Sequence, residues 1–442
     1  MIHEKKIKSI IDEVIETAKN KEPIAFNKKS VPHLVPDPKN PRYKKKKIDL
    51  SGLTEILEID VKNQTCTAES GVTFFDLVNE TLPYGLVPMT VPELKGITIG
   101  GAVSGCSIES MSYKSGGFHD SCIAYEVISS DGSLLNCTRD NNNDIFEMIH
   151  GSYGTLGILT KLTFKLIPAK PFVKMTNLIC DNIIDYNRYL NEHCSQQTHD
   201  FVDGIVYDKN HFVLCLGNMV DKAPYTSSYD REHIYYKSVV NKTEDYMTLP
   251  QYFFRYDTEC HWVTKQVPFF ENKLFRKTMG SYFLGSTNLI KWSKRLRHIY
   301  GLKKRQDLVV DVFIPSYNFI NFYDWYEKTL NFYPLWIVPY KMPNIYPWVS
   351  PEHKSRIGKE GFFIDCAIYG MKNNDAQVDY SKLLEDKVFE LNGVKTLIGR
   401  NDYTENRFWD IYNKPLYDTV KEKVDPNHLF ENVYKKFHPH VK

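Results

Sequence analysis

Residues 98–110 read Thr98-Ile-Gly-Gly-Ala-Val-Ser-Gly-Cys-Ser-Ile-Glu-Ser110, and the reading of this stretch decides the fold. Gly100, Gly101 and Gly105 follow a β-branched run, with Ser104, Ser107 and Ser110 beside them. Glycine lets a backbone come close to a bulky anion and aim N–H groups at it, and short hydroxyls add donors without crowding. Such a segment suits a diphosphate. It is not the dinucleotide fingerprint G-x-G-x-x-G, and no Gly-Lys-Ser/Thr follows to make a P-loop. Taken alone, a glycine-rich turn with a structural role explains it better.

A second cluster, Gly151-Ser-Tyr-Gly-Thr-Leu-Gly-Ile-Leu-Thr160, shifts that balance. It follows a helix-like stretch, residues 144–150, and leads into an alternating strand at 160–167 that Pro168 stops. Glycine-rich turns on both sides of a sheet unit can clasp the two ends of one long ligand. With Glu93-Leu94 before them and Leu166-Ile-Pro-Ala-Lys170 after, the two segments resemble the vanillyl-alcohol-oxidase-type (PCMH-type) FAD-binding fold. Within it they look most like the delta-24 sterol reductase (Diminuto) family.

The resemblance continues through Tyr333-Pro-Leu-Trp-Ile-Val-Pro339, Phe363-Ile-Asp-Cys-Ala-Ile-Tyr-Gly370 and Phe408-Trp-Asp-Ile-Tyr412 to Tyr417. It covers nearly the whole chain, more weakly before Asp49 and between Cys180 and Tyr246. The glycine segments place the chain among flavoproteins; the C-terminal segments argue for the sterol-reductase branch. Two features depart from the family. Its sterol reductases carry an N-terminal membrane anchor, where this chain begins Met-Ile-His-Glu-Lys-Lys, and Asn27-Lys-Lys-Ser-Val-Pro-His33 lacks the glycine-rich loop usual in the wider fold.

The 442 residues suffice for two or three cores. Lys and Arg number 56 against 54 Asp and Glu, so no global field attracts nucleic acid. Lys44 to Lys47 is a local basic run, read as a solvated loop with an anionic membrane surface as the lesser alternative. No stretch approaches the roughly 20 apolar residues that cross a bilayer, and no secretory signal is recognisable. The expectation is a cytoplasmic protein without a transmembrane anchor; peripheral membrane contact stays open. Nine scattered cysteines without C-x-x-C fit reduced, mostly buried thiols. The fourteen histidines include no H-E-x-x-H or His/Cys cluster, so no metal site is expected, and His438-Pro-His440 reads as a frayed tail.

Ile7, Ile10, Ile11, Val14, Ile15 and Ala18 recur at helical spacing and predict an amphipathic helix ended by Pro23. Residues 32–41 are a proline-rich loop; 56–60 and 65–69 read as a hairpin; a helix follows over 73–82. Asp131-Gly132 between runs at 123–129 and 134–137 predicts a second hairpin through a type I′ turn. Hairpins mixed with helices make the class α+β. Residues 1–170 form the FAD-binding domain and 171–395 an α+β substrate domain, and 396–442 pack back near the FAD domain. Dense aromatics (Tyr252, Phe253, Phe254, Tyr256, Trp262, Phe269, Phe270) suggest that the second domain builds an apolar pocket.

Carried over by the resemblance, Thr98, Ile99, Gly100, Gly101, Ser104, Gly105, Glu109 and Ser110 would line the diphosphate and ribityl region. Gly151, Gly154, Thr155, Gly157 and Ile158 would approach the other part of the cofactor. Gly100, Gly101 and Gly105 are the firmest, because a Cβ there would push the backbone away; Glu109 would accept from a ribose hydroxyl. His33 and Cys106 are the candidates for covalent flavin attachment, and neither matches the linked pattern, so FAD is expected to dissociate.

A flavin supplies its own redox chemistry, and the protein must hold it, aim it and place a proton. Arg255, Tyr256, His261, Lys341, Asp365, Tyr369, Tyr403, Tyr417 and Lys421 are polar residues in apolar surroundings. Tyr417 and Lys421, at i and i+4 on a helix, share a face. A lysine there would stabilise the phenolate and ease proton donation, which makes this pair the first choice of catalytic acid, with Tyr369 and His261 behind it. No second nucleotide motif is written in the chain, so NADPH, a candidate electron donor, would visit the substrate's pocket. The expected activity is alkene reduction, or its reverse, on a hydrophobic sterol- or isoprenoid-like substrate. The alternatives are an alcohol or alditol oxidase using oxygen and a catalytically inactive flavin-binding interaction protein.

Overall fold

The computed structural model describes residues 2–30, 45–231, 233–296, 306–358, 361–373, 375 and 377–438. His33, the whole proline-rich loop at 32–41 and Lys44 lie outside the described residues.

The amphipathic start forms a helix, Ile2–Lys19, that buries Ile7, Ile10 and Val14. Beside it β1 (Ile24–Asn27) and β2 (Lys46–Asp49) pair in parallel. The next sheet holds β3 (Ile56–Asp60), β4 (Thr65–Glu69), β5 (Leu86–Pro88), β6 (Cys122–Ile128), β7 (Leu134–Cys137) and β8 (Ile158–Pro168). Its order is β3-β4-β8-β6-β7, with β5 pairing β8. All its pairs are antiparallel. Alternation in β8 buries Leu162, Phe164 and Leu166 on one face.

The β6–β7 hairpin forms, but not through the expected turn. Gly132 has φ 84° while Asp131 is not left-handed, and a type I′ turn needs both. The Asp131 carboxylate instead accepts from the Ser129 hydroxyl and, at 2.9 Å, from Ser133 N–H. A Cβ on Gly132 would stand 2.8 Å from Ile15, so the turn is also shaped by the N-terminal helix lying on it.

The glycine stretch differs more. Residues Ile99–Gly105 are an α-helix, N-capped by Thr98, whose hydroxyl accepts from Gly101 N–H. Glycine disfavours a helix by about 1 kcal/mol per residue. Burial of Ile99, Ala102 and Val103 overrides that preference, and Gly100 N–H donates to Ser70 O at 2.9 Å.

The second sheet comprises β9 (Phe172–Cys180), β10 (Phe201–Asp208), β11 (His211–Val220), β12 (Glu244–Thr248), β13 (Gln306–Pro315), β14 (Leu335–Lys341), β15 (Phe362–Lys372) and β16 (Val394–Lys395). The order is β12-β9-β11-β10-β14-β15-β13-β16, antiparallel throughout. One apolar core runs without a break from Phe118 and Phe164 in the first part through Ile205, Tyr252 and Trp336 in the second to Tyr417 and Tyr434 near the end. Thus mixed helices and antiparallel sheets make an α+β fold. The helix Lys414–Val424 returns to the first part, where Lys423 pairs with Asp144 at 2.6 Å and Ser130 N–H donates to Val424 O at 2.9 Å. All nine thiols are free.

His438 is not frayed. It is buried, stacks on Tyr434 with ring centroids 4.2 Å apart, and reaches Tyr434 O through Nδ1 at 2.9 Å. Burial lowers its pKa to about 4. His353, buried and near the Arg356 charge, is likewise held at about 4. The unfolded chain protonates both imidazoles below about pH 6.5, whereas the folded chain resists until about pH 4. Stability carried by these neutral rings is therefore present above pH 6.5 and lost between 6.5 and 4. Each contributes at most about 1.4 kcal/mol per pH unit. Melting temperature measured from pH 8 down to 4 should fall through that window, and His353→Gln should flatten the slope.

Candidate active site

A cavity lies between the glycine segments and the second sheet. Its floor is Gly105, Cys106 and residues His150 to Tyr153. Phe313, Tyr340 and Phe363 face it from β13, β14 and β15, and Val394 to Thr396 close one side. Trp348, Tyr412, Asn413 and Tyr417 close the other.

Left-handed residues bring the two glycine segments together. Cys106 (φ 55°) ends the Ile99–Gly105 helix, and Gly151 (φ 67°), Tyr153 (φ 51°) and Gly154 (φ 72°) bend the second segment. Gly151 N–H then donates to Val103 O at 3.4 Å and Tyr153 N–H to Ser104 O at 2.9 Å. Opposite stands an aromatic wall: Tyr346 stacks on Trp348 and Trp348 on Tyr412, each with centroids 5.6 Å apart.

Two polar atoms of the lining, buried and without partners among the described residues, are Trp348 Nε1 and His150 Nδ1. The other nitrogen of His150 meets Tyr125 OH at 3.0 Å, and its ring lies 4.9 Å from His119. Burial keeps both imidazoles neutral near pH 7. Neutral donors and acceptors beside an open, glycine-floored cavity fit a polar heteroaromatic group, so these residues suit a flavin.

The predicted residues divide. Gly105, Gly151 and Tyr417 line the cavity. Ser104 and Thr155 sit just behind it: the Ser104 hydroxyl donates to Gly100 O at 2.8 Å and Thr155 Oγ1 to Ser152 O at 2.7 Å. Thr98 is spent as a helix cap, and Ile99 and Ile158 are core. A Cβ at Gly100 would lie 2.7 Å from Ser70, at Gly154 2.8 Å from Phe26 and at Gly157 2.6 Å from Val127. At those three glycines protein fills the space a Cβ would take, and none of them lines the cavity. Gly101 is half-buried, with only Thr98 Oγ1 near its missing Cβ, at 3.1 Å.

Glu109 and Ser110 turn away from the cavity. Glu109 is buried against Arg255 at 3.0 Å, and Ser110 bonds Tyr252 OH at 2.9 Å. A carboxylate beside a buried guanidinium is not free for a ribose. Tyr417 and Lys421 share a face as expected, yet both are tied down. Tyr417 OH donates to Thr155 Oγ1 at 3.1 Å and accepts from Val433 N–H at 3.0 Å. The Lys421 ammonium donates to Thr155 O and Phe430 O, each at 2.8 Å, and pairs with Asp425 at 2.8 Å. Burial pushes the Tyr417 phenol up to about 12 instead of down. The pair anchors the C-terminal helix to the second glycine segment. Tyr252, Phe253, Phe254, Tyr256 and Trp262 are core and not cavity wall, while Phe269 is 77 % exposed.

Sequence reading missed Asp311 and Thr396, which join the candidates Tyr369 and His261 in a line of acid–base groups leading inward from the cavity. The Thr396 hydroxyl stands 3.2 Å from Asp311 Oδ2, and Tyr369 OH donates to Asp311 Oδ1. The Tyr369 ring lies 4.5 Å from His261, whose Nε2 meets Glu93 Oε1 at 2.9 Å. Burial raises Asp311 to about 6 despite the Tyr369 bond. Asp311, set between Val310 and Val312 in β13 as Asp365 is between Ile364 and Cys366 in β15, was the signal that pattern reading could have used.

A cavity floored by glycine and backed by buried acid–base groups is a site that serves an FAD-dependent oxidoreductase. Residues 39–138 match the family described as FAD binding domain. The chain is 29% identical over 420 residues to the Delta(24)-sterol reductase of Homo sapiens, covering 89% of this chain and 78% of the relative. It is 27% identical over 429 residues to the Delta(24)-sterol reductase homolog of Caenorhabditis elegans, covering 90% and 80%. A shorter match, 27% over 139 residues, joins it to Cytokinin dehydrogenase 1 of Arabidopsis thaliana, covering 31% and 24%.

The cavity glycines should separate from the packing glycines on substitution. Gly105 has only Tyr153 near its missing Cβ, at 3.9 Å, so Gly105→Leu should fold and melt close to wild type while retaining little FAD. Gly100→Leu should fail to fold whether or not FAD is supplied. Flavin absorbance after gel filtration, read beside circular-dichroism melts, checks both.

Proposed function

We propose that this protein reduces an isolated carbon–carbon double bond of a sterol- or isoprenoid-like substrate, with non-covalent FAD and NADPH as electron donor. The observation that carries the reading is the pairing of a largely apolar, aromatic-walled cavity with the acid–base line behind Thr396. The similarity to Delta(24)-sterol reductases along 89% of the chain points the same way. A polyol substrate would call for more amide and carboxylate groups on the wall than Asn413 and the Thr396 and Ser152 hydroxyls supply.

The backbone at Gly105–Cys106 and Gly151–Tyr153, with His150 Nδ1 and Trp348 Nε1, would hold the flavin. Cys106 does not form a thioether, because burial raises its thiol far above the usual range and leaves no thiolate to react. Bound flavin, once reduced, supplies hydride to one alkene carbon; the other carbon must receive a proton from the protein.

Asp311 is the proton source in this reading. Held near pKa 6 by burial, it keeps its proton through a useful fraction of molecules near neutrality. Thr396 lies between it and the cavity and passes the proton as a hydroxyl relay. Tyr369 orients the carboxyl through the opposite oxygen, and His261 with Glu93 packs behind Tyr369. Tyr417 faces the cavity, but its hydroxyl already has two partners.

Anaerobic photoreduction followed by separate addition of oxygen and of a sterol or isoprenoid alkene tests the reaction. Fast reoxidation by the alkene and slow reoxidation by oxygen are expected. Rapid stoichiometric peroxide formation, with reduction by polyols, would identify an oxidase, and a colourless protein that takes up no FAD would end the reading.

Asp311→Asn should leave flavin binding and NADPH-driven reduction near wild type. The alkene-consuming half-reaction should slow by roughly a hundredfold, the scale of a lost general acid. Its infrared spectrum should also lose the carbonyl stretch of a protonated carboxyl present at pH 5. Equal slowing of both half-reactions would assign Asp311 a structural role only.

A further inference from the structure

The segment after Trp262 leaves the core and presents an unusual surface. From Asn272 to Leu296 the sequence holds Lys273, Arg276, Lys277, Lys291, Lys294 and Arg295, and no Asp or Glu. Such an imbalance is local, since the whole chain carries a net charge of only +2. Two helices, Lys273–Phe283 and Ser286–Leu296, fold this stretch into a hairpin.

An aromatic ladder holds the hairpin together from within. Phe270 stacks on Phe275 at 5.2 Å, Phe275 reaches Phe283 at 5.8 Å and Phe283 stacks on Trp292 at 5.1 Å. Arg276 turns inward to Glu259, so its charge is spent inside. The outward residues are then apolar and basic together. Phe269 is 77 %, Leu274 70 % and Tyr282 58 % exposed. Leu274, Thr278 and Tyr282 follow one another at i, i+4 and i+8 along one face, with Lys277 beside them.

Lys273, Lys277, Lys291 and Arg295 are exposed, and among the described residues none of them is in an ion pair. The nearest acidic residue in sequence, Glu271, is engaged by Lys237 and by Tyr236 OH. Large apolar groups in water mark an interaction surface. Cations alone would suit any polyanion, but a nucleic acid would leave Leu274 and Phe269 wet. Aromatic and aliphatic side chains beside a row of unpaired cations, on a convex helical surface, match the boundary of an anionic lipid bilayer.

We infer that this helical hairpin docks the protein on anionic membranes, with Phe269, Leu274 and Tyr282 entering the headgroup boundary and the four cations contacting lipid phosphates. The docking goes beyond the enzymatic reading and does not depend on it. The hairpin follows a stretch that packs inward, where His261 and Trp262 lie on Tyr369 and Gln266 Nε2 donates to Gly370 O at 2.5 Å.

The test is co-sedimentation of the purified full chain with vesicles of phosphatidylcholine alone or mixed with phosphatidylserine. Binding is expected only to the mixed vesicles. K273E/K277E/K291E/R295E should lower the partition coefficient by at least about tenfold, since each basic residue near such a surface adds to attraction. F269S/L274S/Y282S should bind at low salt but release when salt is raised. Thermal melts and flavin absorbance like those of wild type certify that both variants are folded, and Lys273→Gln with Lys277→Gln alone gives a milder variant if the quadruple is not. Failure of the wild type to bind mixed vesicles, or equal binding by both variants, would overturn the docking. So would tight binding of a DNA oligonucleotide that depends on the four cations and is indifferent to the apolar triple, since it would assign the patch to nucleic acid.

Discussion

A guanidinium with no access to water holds the junction on which the cavity depends. Arg255 stands 3.0 Å from Glu109 and 2.9 Å from Asp203, and Tyr252 and Tyr256 cover its faces at 4.2 and 4.9 Å. Glu109 belongs to the first glycine segment, and Asp203 to β10 of the second sheet. Asp203 also accepts from Trp336 Nε1 at 2.8 Å, which ties in β14. Removing one partner of such a buried set costs about 3–5 kcal/mol, because the remaining charge is stranded. The triad therefore fixes how the glycine floor faces the second sheet.

That arrangement explains which parts of the molecule could be read in the sequence. The Ile2–Lys19 helix, the β3–β4 and β6–β7 hairpins and the alternating β8 were legible because each follows from spacing within about twenty residues. The glycine stretch was legible in its ligand but not in its shape. Its composition argues against a helix, and only Ser70 and the core behind Ile99 make one. Gly100, Gly154 and Gly157 show the limit of the argument from glycine: a missing Cβ says that something comes close, and here the neighbours are Ser70, Phe26 and Val127.

The candidate site was half legible for the same reason. Gly105 and Gly151 could be placed by motif, but the walls that face them come from Trp348, Thr396, Tyr412 and Tyr417, far along the chain. Glu109 was misread because its partner Arg255 lies in a segment with no motif to connect the two. Tyr417 and Lys421 were paired correctly by helix geometry, and their surroundings then decided against chemistry. Thr155 supplies a hydroxyl to one and a carbonyl to the other, so the two side chains fasten a helix. Sequence spacing gives adjacency; only the third partner tells acid from anchor.

The segment from Thr248 to Leu296 shows how one stretch of chain serves two solvents. Its first part is buried, with Tyr252, Arg255, Tyr256 and His261 supplying the charge and ring contacts of the junction. After Trp262 Phe269 and Tyr282 point outward, and beyond Glu271 the hairpin holds no acidic residue. Composition alone treats Tyr252 and Phe269 alike, which is why both were expected to line one pocket. The difference lies in what surrounds them: Tyr252 packs on Phe201 of β10 and meets Arg255, whereas Phe269 follows Pro268 into a left-handed turn at φ 70° with its ring in water. A strained, exposed phenylalanine is unfavourable in an isolated globule. Its place beside an acid-free basic hairpin gives that exposed ring a physical reason, because water is then not its working environment.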